Sequence, residues 1–286
     1  MDSSGFTAVP APVAALDRAS RRRETPCGDG TMVWREWGDG APVVLLHGGY
    51  GSWQHWLRNI EPLTAAGYRV VAPDLPGLGE SALPPPTDNL DDVSDILADG
   101  LARILAPGER FHLIGFSFGG HMSGRIAARL GDRARSLILV GAGGFGLPRG
   151  RRTELTKAPP NLTPAETFAL QRDNLGRLMF EHRVNIDDIA VWMQVRHVAL
   201  GRFKSVKFAS GTWLARSLPL VTARLGGIWG ELDITAHPYV DQRDAFLKSL
   251  QPDALFHVVY GMGHWVQYEA ADEFNRVLLD WLARIG

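Results

Sequence analysis

The stretch Leu113–His121, reading LIGFSFGGH, limits the fold of this chain more than any other. Phe111 to Ile114 is an apolar run that suits a buried strand. Beyond it, Met122, Ile126, Ala127 and Leu130 recur at helical spacing, after an opening rich in small residues (Gly119, Gly120, Ser123, Gly124). The order is therefore strand, sharp turn, helix, with Ser117 at the turn. Gly115-Phe116-Ser117-Phe118-Gly119 fits G-x-S-x-G, a pattern that places a serine on a strained turn with its hydroxyl clear of the sheet. Side chains two residues to either side would meet neighbouring backbone, which explains glycine at 115 and 119. The following helix points its N-terminus at the serine and favours developing negative charge there. Glycine supplies 32 of the 286 residues, so a bare glycine-rich turn also fits, and the rest of the chain must supply partners.

The surrounding pattern is an alternation of strands and helices. Thr31–Trp37 alternates apolar and polar residues as a half-buried edge strand does, and Pro42–Leu46 is fully apolar. Trp53–Ala66 reads as a helix containing Pro62, Tyr68–Ala72 as a strand, and Leu90–Leu105 as a helix with one apolar face. Strands follow at Ser136–Val140, Leu225–Gly230 and Leu255–Tyr260, and an amphipathic helix runs from about 270 to 284. This order predicts an α/β fold with a mostly parallel, doubly wound sheet. Residues 148–215 break the pattern, with helical patches at 164–182 and 186–200 and no strand of the core type. They are expected to form a helical cap inserted into a core made of 1–147 and 216–286. Residues 1–24 read as a loose or helical surface extension.

A serine hydroxyl needs a base, and the base needs an orienting acid. Of the histidines after Ser117, His264 lies in Gly261-Met262-Gly263-His264-Trp265, a glycine-rich loop after the last strand. Ligands of such sheets gather at the C-terminal ends of strands. His257 falls inside the strand, and His121 points away from the hydroxyl. The acid is expected after the preceding strand, where Gly230-Glu231-Leu232-Asp233 offers Asp233, with Glu231 as the fallback. The loop after Val140 holds only Gly141-Ala142-Gly143-Gly144 and no acid. Two backbone N–H groups should stabilise the oxyanion. Phe118 supplies one, and His47-Gly48-Gly49 the other, with Gly49 preferred to Gly48 as the donor.

Composition excludes several function classes. A formal net charge of −1 implies no nucleic acid and no anionic membrane surface as partner. The single cysteine, Cys27, forbids an intrachain disulfide framework and has no metal-ligand cluster around it. No apolar run reaches the length of a membrane span. The basic cluster Arg21-Arg22-Arg23 follows the short apolar stretch instead of preceding it, the wrong order for a secretory signal. The expectation is a cytoplasmic enzyme with a small-molecule substrate, no cofactor and no metal; a homodimer stays open.

His47-Gly48-Gly49, Asp74-Leu75-Pro76-Gly77-Leu78-Gly79-Glu80-Ser81, the Ser117 turn, Gly230-Glu231-Leu232-Asp233 and Gly263-His264 occur in that order. Together they resemble the α/β-hydrolase superfamily over about residues 30–286. Gly263-His264-Trp265-Val266-Gln267-Tyr268-Glu269, Leu139–Gly146 and Asn59-Ile60 are similar, more narrowly, to the meta-cleavage product hydrolases, which split a carbon–carbon bond in vinylogous diketones. The chain departs from that branch at two places. Phe116 stands where asparagine usually precedes the nucleophile. The lid arginine that binds a substrate carboxylate aligns near Met193, with Arg196 a turn away. The resemblance implies the scaffold and a Ser117, His264, Asp233 triad. With an apolar residue before the serine, the leading expectation is a serine esterase acting on a small apolar substrate. Carbon–carbon hydrolysis, lactone hydrolysis and a ligand receptor on the same fold are the alternatives. A haloalkane dehalogenase is disfavoured, since those enzymes carry aspartate where Ser117 stands. Gly48, Phe116, Phe145, Met193 and Trp265 are the expected substrate-binding residues. In the cap, Met179, Phe180, Trp192 and Val195 are further lining candidates, and Arg149, Arg151 and Arg152 read as a solvated hinge.

Overall fold

The computed structural model describes residues 8–151 and 153–285. An eight-stranded sheet organises them, in the order β1-β2-β4-β3-β5-β6-β7-β8. The strands are β1 (Arg21–Cys27), β2 (Gly30–Trp37), β3 (Ala41–Leu46), β4 (Tyr68–Pro73), β5 (Phe111–Phe116), β6 (Ala134–Val140), β7 (Arg224–Gly230) and β8 (Leu255–Val259). Only the β1–β2 and β2–β4 pairs are antiparallel; from β4 onward every pair is parallel. Both faces are covered, so the central strands are apolar without alternation. Leu137 and Leu139 of β6 enter one core and Ile138 and Val140 the other. The first core packs under α3 (Leu90–Ile104), α4 (Phe118–Leu130) and α8 (Val240–Leu250), and the second under α1 (Ala11–Ala19), α2 (Ile60–Ala65) and α10 (Ala271–Ile285).

Three expectations need correction. The segment before residue 24, expected as a loose or helical surface extension, does carry a helix, α1, but it is packed into the fold where it is described. Val13 and Leu16 of α1 are buried, and Arg21–Glu24 lie in β1, where Arg21 pairs with Asp39 and Arg23 with Glu36; residues 1–7 lie outside the described part. Three consecutive arginines can occupy an edge strand because Arg21 to Glu24 are all exposed. Consequently β2 is not an edge strand but lies between β1 and β4, and its Arg35 and Glu36 are buried and paired, Arg35 with Asp17 and Glu80. The third correction concerns Trp53–Ala66, which is a 3₁₀ turn at Trp53–Trp56 followed by the short α2. Asn59 lies at the break, its buried amide bound to Gln267 O and Asn275 Oδ1.

Between β6 and β7 the described chain contains helices only: α5 (Pro164–Leu178), α6 (Asp188–Leu200) and α7 (Trp213–Ser217). Helical structure continues past 215 in a 3₁₀ turn at Leu218–Leu220. A Thr163–Glu166 capping box starts α5, and the Asp187 carboxylate caps α6. Leu175, Val191 and Met193 bury the insertion against the second core. Of the hinge arginines, Arg149 donates to Ala209 O and Arg151 is exposed; Arg152 lies outside the described residues.

Candidate active site

Four loops at the C-terminal ends of β3, β5, β7 and β8 meet at Ser117. The turn after β5 holds Ser117 at φ 48°, ψ −111°, a left-handed conformation costly for a residue with a side chain. Close packing enforces it. A Cβ on Gly115 would lie 2.8 Å from Gly120 Cα, and one on Gly119 would lie 2.7 Å from both Leu46 O and His47 O. Ser117 N donates to Val140 O at 2.9 Å and Gly119 N to His47 O at 3.0 Å.

Ser117 Oγ is 2.9 Å from His264 Nε2, and His264 Nδ1 is 2.9 Å from both Asp233 carboxylate oxygens. Asp233 is fully buried, and its Oδ1 also accepts from Thr235 N at 2.9 Å and Thr235 Oγ1 at 2.8 Å. The carboxylate therefore receives N–H and O–H donors alone, which orients the imidazole with its proton on Nδ1 and Nε2 free to take the serine proton. The loops carrying Asp233 and His264 touch so closely that a Cβ on Gly230 would lie 2.2 Å from Gly263 O. Glu231, the fallback acid, faces elsewhere: its Oε2 accepts from Gly261 N at 2.9 Å.

The loop after β3 resolves the two candidate glycine donors. Gly48 N–H donates to His55 Nδ1 at 3.2 Å, which favours Gly49 N–H over it as the candidate donor from this loop. Phe118 N–H, in the first turn of α4, is the other candidate donor. His47 braces the same loop, its Nδ1 donating to Gly48 O at 2.7 Å and its Nε2 accepting from Leu75 N at 2.8 Å. Burial pushes His47 down to about 4, so it is neutral at working pH.

The expected substrate-binding residues divide. Phe116 is wholly buried, with its ring 5.0 Å from that of His264 and further contacts to His55 and Trp56, so it packs behind the imidazole. Trp265 stacks on Tyr268 at 4.3 Å and donates from Nε1 to His55 O at 3.0 Å. Met193 is buried in the same core cluster as Phe116 and Trp265, as are Met179, Phe180 and Trp192, while Val195 is half-buried. Arg196 is exposed and lies over the ring of Trp192, a member of that cluster, at 5.1 Å. Phe145 is a correction: its ring packs on Trp229 and Phe246 in the opposite core, because Gly144 and Gly146, both at positive φ, turn the chain there.

Two imidazoles escaped the sequence reading. His55 is edge-on to Phe116 and His197 and 4.9 Å from Trp265. Burial holds it well below its ordinary pKa, aided by His197, His47 and His264. His197, on α6, is 2.8 Å from Ser52 Oγ and 3.1 Å from Gln54 Oε1 through Nε2. Neither belongs to a local motif. The only signal was their number, two histidines with no assigned role near an apolar segment.

Comparison with known proteins identifies the family. Residues 43–277 match the model of the alpha/beta hydrolase family. The 2-hydroxy-6-oxo-6-phenylhexa-2,4-dienoate hydrolase of Burkholderia cepacia is 31% identical over 260 residues, covering 86% of this chain and 89% of that protein. A 2-hydroxy-6-oxononadienedioate/2-hydroxy-6-oxononatrienedioate hydrolase of Dechloromonas aromatica is 35% identical over 265 residues, covering 84% and 86%. Among solved structures, a meta-cleavage product hydrolase from Pseudomonas fluorescens superposes with a TM-score of 0.69 at 21% identity, covering 92% of this chain and 98% of that one.

Proposed function

The chain belongs to the alpha/beta hydrolase family, and on that premise we propose that it hydrolyses a carbon–carbon bond in a 2-hydroxy-6-oxo-dienoate, with Ser117 as nucleophile, His264 as base and Asp233 as its orienting acid. The observation that carries the reading is the unbroken chain Ser117 Oγ–His264 Nε2 and His264 Nδ1–Asp233, 2.9 Å at each step, in a scaffold at least 30% identical to dienoate hydrolases. This reverses the ester-first expectation, because relatives matched over most of the chain carry more weight than the identity of residue 116.

The arrangement of Ser117, His264 and Asp233 suits the proposed chemistry. The dienol first becomes its keto form, with the hydroxyl proton moved to C5. Ser117 Oγ then attacks the C6 carbonyl and passes its proton to His264 Nε2. The N–H groups of Phe118 and Gly49 hold the oxyanion. The C5–C6 bond breaks, and its electron pair runs along the conjugated chain to the C2 oxygen. That oxygen takes the proton from His264, and the 2-hydroxy-dienoate fragment leaves. His264 next draws a proton from water, whose oxygen attacks the acyl-serine; the adduct collapses, His264 returns the proton to Ser117 Oγ, and the carboxylic acid is released. Residues 148–215 act as a cap that keeps bulk water from the acyl-enzyme.

Ester hydrolysis is the second reading, favoured by one observation. Phe116 and Met193 are apolar and buried at the two positions where the resemblance to dienoate hydrolases implies an asparagine and a carboxylate-binding arginine. The same triad and N–H donors cleave an ester or a lactone, with an alkoxide as leaving group. Product analysis with 2-hydroxy-6-oxo-6-phenylhexa-2,4-dienoate and with 4-nitrophenyl acetate separates the two. The first reading expects benzoate from the dienoate at a kcat/KM at least about tenfold above the ester's. Fast ester turnover with no benzoate would establish the second.

A further inference from the structure

The loop that carries Gly49 is held from one side by the helical insertion. His197, near the end of α6, reaches Ser52 Oγ at 2.8 Å and Gln54 Oε1 at 3.1 Å. Just beyond α6, the backbone of Gly201 lies under the Tyr50 ring, where a Cβ on Gly201 would be 2.7 Å from Tyr50 Cδ1. Tyr50 is itself at φ 48°, a strained value for a residue with a side chain. Further along, Ser205 Oγ lies 2.6 Å from where a Cβ on Gly49 would be. The segment between these points is anchored to a second core loop. Arg202 N and Phe203 N donate to Gly77 O at 2.9 and 3.0 Å, and Arg202 Nη2 donates to Ser81 O at 2.5 Å. Residues 197–205 thus touch Gly49, Tyr50, Ser52 and Gln54 in turn.

The protonation pattern fixes the sense of the contact. Gln54 Oε1 can only accept, so His197 Nε2 carries the proton and donates. His197 Nδ1 is then a bare acceptor, buried and with no hydrogen-bond partner among the described residues. The His197 ring is edge-on to His55 at 5.1 Å, and His55 Nδ1 accepts the Gly48 N–H. A fully buried imidazole with an unsatisfied nitrogen is costly to keep for packing alone.

We propose that His197 is a positioning residue: by donating to Ser52 and Gln54 it locks the His47–Gln54 loop in the shape that aims Gly49 N–H at Ser117. The oxyanion hole is complete only when the 197–205 segment is seated. This rests on the hydrolase reading, though not on which bond the enzyme cleaves.

The test uses the full chain as wild type and as His197→Ala, His197→Gln and Ser52→Ala, with folding checked by thermal unfolding. Two readouts are independent of the natural substrate: the rate of Ser117 phosphonylation by a small fluorophosphonate, and kcat and KM for 4-nitrophenyl acetate. His197→Ala is expected to lower the phosphonylation rate and kcat roughly 10- to 100-fold, with KM changed less than about threefold, somewhat short of outright loss of an oxyanion donor. His197→Gln, which keeps an N–H donor, is expected to recover most of that loss, and Ser52→Ala to reproduce part of it. A folded His197→Ala phosphonylated at the wild-type rate, or altered in KM alone, would overturn the proposal. Should His197→Ala not fold, an undiminished rate in Ser52→Ala would overturn it equally. Absence of labelling in the wild type would reject the hydrolase reading itself and this inference with it.

Discussion

The sheet core and the helical insertion hold the site by different means. In the core, each functional group sits at a strand end and is fixed by neighbours that glycine alone allows. Gly115, Gly119 and Gly230 each leave under 3 Å for a Cβ. In the insertion, the groups near the site are held by hydrogen bonds across great sequence distance, such as His197 to Ser52, 145 residues apart. The core therefore sets which atoms react. In the proposed account the insertion sets how well the surrounding loop is aimed, and loosening it is expected to leave the sheet folded.

Substitutions in the two regions should differ in size and kind. The largest effects belong to the core triad. Ser117→Ala should lower kcat by about 10⁶-fold and Asp233→Asn by about 10⁴-fold, the latter because the imidazole is left in the wrong tautomer. Steady-state kinetics on the best substrate checks both, and an Asp233→Asn loss below about tenfold would remove Asp233 from the triad. Next come packing changes. Leu137→Ala in β6 and Leu175→Ala in α5 both empty fully buried sites, each at a cost of about 2–5 kcal/mol locally. Calorimetry should show Leu137→Ala lowering global stability. Leu175→Ala should instead speed hydrogen exchange in α5 and α6 while leaving the sheet amides as slow as before. Equal acceleration in both regions would show that the insertion does not open separately.

A pH-dependent effect runs through both regions. Burial lowers His47, His55 and His197 at the insertion–loop contact, and His112 and His121 in the core. Unfolded, each takes a proton as pH falls through about 6.5. Folded, His47 and His112 resist to about 4, and His121 and His197 to about 3. Between those values the unfolded chain binds more protons, so acidification costs up to about 1.4 kcal/mol per pH unit for each imidazole. Asp74 works the other way: burial raises it to about 6, so its linkage offsets roughly one imidazole between there and its ordinary 3.8. Thermal midpoints should fall steadily from pH 7 to pH 5, and the fall should be smaller in His197→Ala. A flat profile would mean these rings are protonated in the fold.

The same contrast explains what could be read from the sequence. The parallel sheet, the Ser117 turn and the order serine, acid, histidine follow local rules of strand, glycine and loop, and they appear in the chain as short motifs. Asp233 was separable from Glu231 by its distance past the strand. The edge position of β1 was hidden, because exposed paired arginines look like a solvated tail. His55 and His197 were hidden for a different reason. Their partners lie in other elements, so no spacing marks them. Phe145 was misplaced because two left-handed glycines redirect the chain beside it. Phe116 has a packing role that no motif shows, its ring lying 5.0 Å from that of His264.

The central claim is that Ser117 drives hydrolysis of a carbon–carbon bond. Its most direct measurement is the product balance from the dienol substrate proposed above, by chromatography, with wild type and Ser117→Ala side by side. The account predicts one carboxylic acid and one 2-hydroxy-dienoate per substrate consumed by the wild type, and no acid from Ser117→Ala. Acid formation by Ser117→Ala at the wild-type rate, or none from a wild type whose Ser117 a fluorophosphonate labels, would contradict it.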